Sequence, residues 1–238
     1  MSELEALLVV QQHDTAIDRL RHRAATLPER AERDARVAVL ASIDRRLADA
    51  QARRDVVARE VQRLDDEGSS LEARAVAVER RMYSGEVSSP KELQAMQHDV
   101  ESLRRHRDEI DDRELGVMSE REVLDGEVGA IEAERAQVAG DVERLQAAIA
   151  EQVATIDVEL AVEQSARDEH ASSVGAALLE QYESCRRQAR GVGVAKLVGN
   201  TCQGCHLTIP ATEVDRMRHQ PPGSPALCDN CGCILVLS

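Results

Sequence analysis

An apolar residue recurs at every seventh position through the middle of this 238-residue chain, and this period restricts the fold more than any other feature. A seven-residue period places its members in one stripe along an α-helix, which is the seam of a coiled coil. The segment is therefore predicted to be a long helix that buries its stripe against another helix. The eight members of the series are Met96, Leu103, Ile110, Val117, Leu124, Ile131, Val138 and Leu145.

The preceding segment repeats the seven-residue period in two registers, so it is predicted to be the second helix of the pair. One register contains Ile43, Ala50, Val57, Leu64, Leu71 and Val78, and the other contains Leu40, Leu47, Val61, Ala75 and Met82. Upstream of both, Pro28 cannot donate a backbone hydrogen bond inside a helix, which predicts a separate short helix over residues 3–27. Its expected partner is the chain at about 146–189.

Turn residues are concentrated between the two heptad segments, at residues 83–90. Gly85 can adopt the left-handed conformation that ends a helix. Ser89 can cap the next helix, with Pro90 in its first position and Glu92 completing a Ser-x-x-Glu capping box. The sequence therefore predicts an antiparallel hairpin with arms at 29–82 and 91–189. A reversal about residues 86–87 would place residue 29 opposite about residue 144.

The composition agrees with long helices and gives a first indication of the partners. The chain has no Trp, no Phe and only two tyrosines, whereas 31% of its residues are charged, as in coiled coils. The net charge is −14, and all of this excess lies in residues 1–190, because the charges of residues 191–238 balance. An acidic body favours protein partners over non-specific binding to nucleic acid.

The sequence carries no sign of export or of a membrane span. Acidic residues follow Met1 where a secretory signal needs basic ones, and no apolar run approaches the ~20 residues of a membrane span. We therefore expect a cytoplasmic protein without membrane association.

Two Cys-x-x-Cys pairs in the last fifth of the chain predict a metal site. They are Cys202-Gln-Gly-Cys205 and Cys228-Asp-Asn-Cys231, separated by 22 residues. Each pair can bind one side of a tetrahedral ion, and the spacing is that of a zinc ribbon. We expect one structural zinc in a domain over 191–238, with a strand near Leu207–Ile209, a helical turn at Glu213–Arg218 and a strand at Ile234–Leu237. Four protein ligands would leave no position for a reactive water.

Two further cysteines need a separate explanation. Cys233 is close enough in sequence to compete as a ligand, but in a strand it would point away from Cys231, so it is interpreted as a neighbouring thiol that could exchange or oxidise. Cys185 is interpreted as an unreactive packing residue on the long helix. Gly191 and Gly193 are expected to end that helix and to form a hinge to the ribbon.

Two surface regions are candidate binding sites. The hairpin tip is either a well-capped turn or a docking site for a partner protein. It contains Tyr83, Ser84, Gly85, Pro90, Lys91 and Glu92. The basic residues beside the ribbon either contact nucleic acid or only stabilise the end of a helix through its dipole. They are Arg186, Arg187, Arg190 and Lys196, and no aromatic residue in 191–238 offers a stacking platform for bases.

Several of these segments together resemble a bacterial family. The matching motifs are Tyr83-Ser-Gly, Ser89-Pro-Lys-Glu-Leu-Gln94, Asp111-Asp-Arg-Glu-Leu115 and the paired cysteines followed by Gly-x-Ile-Leu. This family joins an antiparallel coiled-coil hairpin to a C-terminal C4-type zinc ribbon. It includes flagellar-biogenesis chaperones that contact a sigma factor, export components or messenger RNA, as well as non-flagellar relatives. The chain differs from the usual pattern at Cys233, where a basic residue is common, and near Val236, where an aromatic residue is usual.

The sequence thus predicts a mainly α fold, with a coiled-coil helical hairpin over 1–190 and a small β-rich zinc ribbon over 191–238. We expect a non-enzymatic adaptor or chaperone-like scaffold, because the chain has no phosphate-binding Gly-rich loop or nucleophile motif and so no predicted small-molecule substrate. The alternative is a regulator that binds DNA or RNA through the ribbon and its basic junction.

Overall fold

The structure is a computed structural model that describes residues 2–219 and 225–237. Four helices come first: α1 (Glu3–Ala25), α2 (Pro28–Met82), α3 (Pro90–Ala171) and α4 (Ala176–Gln188). The remaining elements are β1 (Val194–Val198), β2 (Thr201–Cys202), α5 (Ala211–Arg218), β3 (Ala226–Leu227) and β4 (Ile234–Leu237). The predicted fold class is confirmed: long helices form a hairpin, and a small sheet follows them.

Local signals set the first two helix boundaries. The hydroxyl oxygen of Ser2 accepts a hydrogen bond from the Glu5 amide, and the Glu5 carboxylate accepts one from the Ser2 amide, which completes a capping box. The short helix predicted over 3–27 ends at Ala25. Pro28 then occupies the first position of α2, where its missing N–H costs nothing.

The prediction of one helix over 91–189 is wrong, because the chain leaves the helix at residues 172–175. The hydroxyls of Ser172 and Ser173 donate to the backbone carbonyls of Glu169 and His170. Such bonds compete with the helical ladder and favour a helix end. Gly175 is extended and precedes α4, and its amide donates to a carboxylate oxygen of Glu3 at 3.1 Å.

The chain divides into two compact units, one of residues 1–31 with 145–238 and one of residues 32–144. The ribbon is therefore part of the first unit. This division differs from the predicted domain boundary at residue 190. Helices α1 and α4 precede that residue, but they pack against the sheet that follows it.

The unit of residues 32–144 is the hairpin of α2 and α3. Its seam is the predicted one: Ile43, Leu64 and Ile110 are almost fully buried, and the other members of the α3 series are buried or half-buried. Ion pairs between exposed side chains flank the seam, such as Arg46 with Glu134 and Arg53 with Glu127. Each exposed pair contributes little to stability, but together they select one alignment of the helices.

The predicted alignment of the two helices is wrong by about one heptad. Arg46 pairs with Glu134, and near the base Gln152 donates to Glu29 at 2.7 Å, so residue 29 lies opposite 152 and not about 144. A strict seven-residue repeat superimposes on itself after each heptad, so the apolar pattern leaves these alignments equally favourable. The ion pairs beside the seam, such as Arg46 with Glu134, distinguish the observed alignment from those one heptad away.

The tip of the hairpin is closed by Ser84 and Gly85. The Ser84 hydroxyl donates to the Arg81 carbonyl at 2.9 Å and accepts from the Glu86 amide, while Gly85 has φ +80°. The predicted capping box at Ser89 does not form. The Glu92 amide donates instead to the backbone carbonyl of Ser89, and its carboxylate lies 3.6 Å from Arg81.

In the other unit, α1 packs against the last part of α3, against α4 and against the sheet. Leu20 and Leu27 contact Ile156 and its neighbours on α3, as the sequence predicts for this helix. Near the start of α1, a second cluster joins helix residues to the sheet. Its buried members are Ala6, Leu7, Val10, Ala171, Val174, Tyr182, Cys185, Val194 and Ile234.

The sheet has the strand order β2-β1-β4-β3, with β1 parallel to β4 and antiparallel pairing elsewhere. Because side chains alternate along a strand, Val194 and Ile234 face the helices, whereas Leu197 and Leu235 belong to the core of the ribbon. The strand predicted near Leu207–Ile209 is reduced to a single bridge between Thr208 and Thr201.

The expected hinge at Gly191 and Gly193 is instead a fixed joint. The Gln11 side-chain oxygen accepts hydrogen bonds from the amides of Gly193 at 2.6 Å and Val194 at 3.4 Å, and its NH2 group donates to the Gly191 carbonyl at 2.9 Å. A Cβ on Gly193 would lie 2.6 Å from the ring of Tyr182, so only glycine fits there. The joint holds the start of β1 against α1 and α4.

Asp14 extends this joint into the helices. It is only 3% exposed and accepts hydrogen bonds from the Tyr182 hydroxyl at 2.6 Å and from Arg167 at 3.3 Å, and Arg186 lies 3.4 Å away. Two guanidinium groups and one hydroxyl thus compensate a buried carboxylate, as burial of a charge requires. We call Gln11, Asp14 and Tyr182 the polar trio.

The polar trio predicts a loss of stability at high pH. Burial, followed by the hydrogen bond to Asp14 and its charge, raises the pKa of Tyr182 far above its usual range. The trio's contribution is therefore fully present below pH ~10, the value for an unfolded tyrosine, and is lost as pH rises above it. Denaturant unfolding of the zinc-loaded protein between pH 8 and 11 measures this loss, and Tyr182→Phe should reduce the slope. An equal slope in both proteins would contradict the assignment.

Candidate metal centre

Four of the six cysteines converge at one end of the ribbon. Cys202 is the last residue of β2 and Cys205 lies in the turn after it, whereas Cys228 and Cys231 come from the turn between β3 and β4. Their four sulfur atoms all lie within 4.8 Å of one another. The sulfurs of Cys202 and Cys231 are 4.0 Å apart, and those of Cys205 and Cys228 are 3.9 Å apart.

These distances fit a tetrahedral zinc ion. Four sulfurs at ~2.3 Å from one zinc are about 3.8 Å apart. Cys202 and Cys228 are buried, whereas Cys205 and Cys231 are half-buried, so each pair supplies one inner and one outer ligand. The predicted ligand set is thus brought together, and the exposed side chain of His206 is outside it.

Backbone turns prepare the sulfurs to act as ligands. The Gly204 amide donates to the Cys202 sulfur at 3.4 Å. Gly232 has φ +75°, a conformation that favours glycine, and its amide donates to the Cys228 carbonyl at 2.7 Å. Such turns point amide hydrogens toward the thiolates, which stabilises their negative charge.

The two inner thiols differ in acidity. Burial would raise the pKa of Cys202, but the amides of Cys205 and Gly204 lower it below its usual value. Burial raises the pKa of Cys228 to about 12, although the amides of Cys231 and Asn230 oppose this. Because zinc binds thiolates, metal binding must displace these protons, and the affinity for zinc falls on acidification.

Cys233 lies closer to the metal centre than the sequence predicts. Its sulfur is 3.3 Å from that of Cys231 and 3.7 Å from that of Cys202, so the expected divergence of Cys231 and Cys233 is wrong. The strand begins only at Ile234, and the turn at Gly232 directs both sulfurs to the same side. Cys185, by contrast, is buried between helices, and burial raises its pKa.

The basic residues beside the ribbon do not form one patch. The guanidinium group of Arg186 donates to Asp18 at 2.6 Å and lies 3.4 Å from Asp14, so its charge is compensated. Arg187 and Lys196 are exposed. Arg190 lines a groove of about 620 Å³ with α1 residues that the sequence analysis did not single out, among them Arg19, His22 and Arg23.

The hairpin tip presents one large side chain to solvent. Tyr83 is 85% exposed, and Lys91 and Glu92 are also exposed. The side-chain hydrogen bonds of the turn are made by Ser84, and Tyr83 contributes only its backbone amide, which donates to the Glu79 carbonyl at 3.2 Å, so the Tyr83 ring has no part in the turn.

Comparisons with known proteins agree with both parts of the structure. The family model of the CT398-like coiled coil hairpin domain matches residues 10–190, and that of the C4-type zinc ribbon domain matches residues 201–235. The four cysteines lie within the second match and form its metal centre, which holds one structural zinc.

Relatives of known sequence or structure cover the whole chain. An uncharacterized protein of Mycobacterium tuberculosis is 25% identical over 99% of this chain and 96% of its own. A structure from Mycobacterium smegmatis has a TM-score of 0.85 at 24% identity, covering 100% of this chain and 98% of that one. The structure of CT398 from Chlamydia trachomatis has a TM-score of 0.70 at 15% identity, covering 99% and 98%. At these identities the solved structures establish the fold alone.

Within residues 2–219 and 225–237, no helix has the length and apolar character needed to cross a membrane.

Removal of zinc should open the ribbon and leave the hairpin folded. The core of the ribbon consists of small aliphatic side chains and cysteines, so the metal supplies much of its folding free energy, whereas α2 and α3 bury their own seam. We expect chelation or Cys228→Ser to raise hydrogen exchange over 201–237 and to preserve most of the helical circular dichroism. Cys185→Ser should keep one zinc per chain. Loss of most of the helical signal would contradict this division.

Proposed function

The chain belongs to the family of CT398-like coiled-coil hairpin proteins with a C4-type zinc ribbon, and we propose that it is a non-enzymatic adaptor or chaperone-like scaffold that binds partner proteins. The observation that carries this proposal is the exposure of Tyr83 at the hairpin tip. The proposed contact surfaces are the tip and the exposed apolar side chains of the ribbon.

Tyr83 is unusual within its own chain. The only other tyrosine, Tyr182, is completely buried, and the chain has no Phe or Trp. A tyrosine ring loses little conformational entropy on binding and buries a large area, so tyrosines are frequent among the residues that dominate interface energies. Because Ser84 and Gly85 already close the turn, an exposed ring there is better explained by binding than by folding.

The ribbon also exposes large apolar side chains. Val198 on β1, Leu207 after the first cysteine pair and Leu227 on β3 are all more than two-fifths exposed. Side chains of this size on so small a domain would gain from burial against a partner. The zinc itself is enclosed by four thiolates, which supports a structural rather than a catalytic role for the metal.

A second candidate function is binding of DNA or RNA. It is favoured by the groove in which Arg190 lies with Arg19 and Arg23, since guanidinium groups along a groove can follow a phosphate backbone. Two of the basic residues nearby are compensated, however: Arg186 by two aspartates and Arg23 by Glu159 at 3.3 Å. The exposed apolar side chains at the tip and on the ribbon therefore favour protein binding over binding of nucleic acid.

Replacement of Tyr83 tests the adaptor function. Tyr83→Ala should weaken capture of the physiological partner at least about tenfold without lowering the melting temperature, because an exposed ring contributes to binding and not to folding. Leu115→Ala is the matched control, since Leu115 is also exposed, at 65%, but lies on the shaft of the hairpin. Captured proteins are quantified from cell extract by affinity purification and mass spectrometry.

The same experiment separates the two candidate functions. Capture through the tip should persist after nuclease treatment and at ~200 mM salt, whereas phosphate contacts weaken steeply between ~50 and ~200 mM. If Tyr83→Ala and Leu115→Ala retain the same proteins as the natural chain, the tip is not a binding site. Capture that disappears with nuclease but not with Tyr83→Ala would support the nucleic-acid function instead.

A further inference from the structure

The metal centre contains a fifth sulfur at ligand spacing. The Cys233 sulfur lies 3.3 Å from Cys231 and 3.7 Å from Cys202, both of which are zinc ligands. Sulfurs that share one tetrahedral zinc are themselves about 3.8 Å apart. Cys233 is thus as near to two of the ligands as the ligands are to one another.

The surrounding structure holds this sulfur against the inner side of the site. Cys233 is completely buried, and its backbone carbonyl accepts a hydrogen bond from the Cys228 amide at 2.9 Å. A Cβ on Gly204 would lie 3.3 Å from the Cys233 sulfur, so glycine at that position leaves room for the thiol. Cys231, in contrast, is half-buried on the outer side.

We propose that Cys233 is a reserve zinc ligand that takes the coordination position of Cys231 when Cys231 is lost or blocked. The ion is then held by Cys202, Cys205, Cys228 and Cys233. When a blocking group occupies the Cys231 sulfur or serine replaces this residue, the Cys233 thiol releases its proton to solvent as its sulfur–zinc bond forms, so the site again has four thiolates. The number of thiolates and the charge of the site stay the same.

The exchange requires only a local movement. Cys233 is not one of the four sulfurs that are mutually within 4.8 Å, so it must move toward Cys205 and Cys228. Gly232, at φ +75°, separates the two exchanging residues and gives the backbone the freedom to rotate. The consequence is that the ribbon keeps its fold when its exposed ligand is modified.

Cys205 provides a matched control within the same site. It is the other half-buried ligand, but the thiols that interact with it belong to Cys202, Cys228 and Cys231, which are zinc ligands already. Among the described residues, no sixth thiol lies beside Cys205 to replace it. Loss of the two outer ligands should therefore have different consequences.

The test compares zinc binding by full-length Cys231→Ser, Cys205→Ser, Cys233→Ala and the double variant Cys231→Ser with Cys233→Ala. Chelator competition gives the affinity, and X-ray absorption at the zinc edge counts sulfurs at about 2.3 Å. We expect Cys231→Ser to keep one zinc with four sulfurs and an affinity within about tenfold of the natural protein. Cys205→Ser and the double variant should bind zinc about a hundredfold more weakly, because one of four ligands supplies about a quarter of the binding free energy. Cys233→Ala should bind zinc normally.

Three results would overturn the proposal. One is a loss of zinc by Cys231→Ser as large as that of Cys205→Ser, and another is a zinc in Cys231→Ser with only three sulfurs. The third is a loss of zinc by Cys233→Ala alone, which would make Cys233 an ordinary ligand. Helical circular dichroism of each variant shows that the rest of the chain is folded.

Discussion

The side chain of Gln11 holds the sheet of the ribbon to the helices, and the arrangement of this unit depends on it. One carboxamide accepts from the amides of Gly193 and Val194 and donates to the carbonyl of Gly191, so it satisfies three backbone groups of a segment that would otherwise be free to rotate. Buried backbone groups without such partners would cost about 1–3 kcal/mol each. Tyr182 packs against Gly193 and closes the joint, and Asp14 fixes the Tyr182 hydroxyl. The ribbon is therefore held by its helices as well as by its metal.

This joint and the zinc together stabilise a small sheet that contains no aromatic residue. The core of the ribbon is built from side chains no larger than Leu and Met, and three of its ten buried members are cysteines. Such a core buries too little area to be stable alone, which is why domains of this size usually need a metal. The other face of the sheet gains area from α1 and α4 through Val194 and Ile234. This second attachment holds the ribbon in one orientation on α1 and α4.

The heptad series of α3 predicted the hairpin, and the cysteine spacing predicted the metal centre, because both signals are periodic or local. Features that depend on contacts between distant segments were not predictable in the same way. The alignment of α2 with α3 is degenerate by one heptad in the apolar pattern and is decided by pairs such as Arg46 with Glu134. Strand β1 was missed because Gly191 and Gly193 indicate a hinge unless the position of Gln11, 182 residues earlier than Gly193, is known. The available signal for this strand was the short aliphatic run Val194-Ala-Lys-Leu-Val198, which is rich in the residues that favour strands.

Hydrogen exchange at the amide of Gly193 reports directly whether Gln11 holds the ribbon to the helices. Replacement of Gln11 by Ala removes the acceptor at 2.6 Å without touching the zinc ligands. If the joint holds the ribbon, the amides of Gly193 and Val194 should exchange at least about fivefold faster, since a lost buried hydrogen bond costs about 1 kcal/mol or more. The zinc content should remain one per chain. Unchanged exchange at Gly193 in the Gln11→Ala protein would show that the metal alone orders the ribbon and that the joint is incidental.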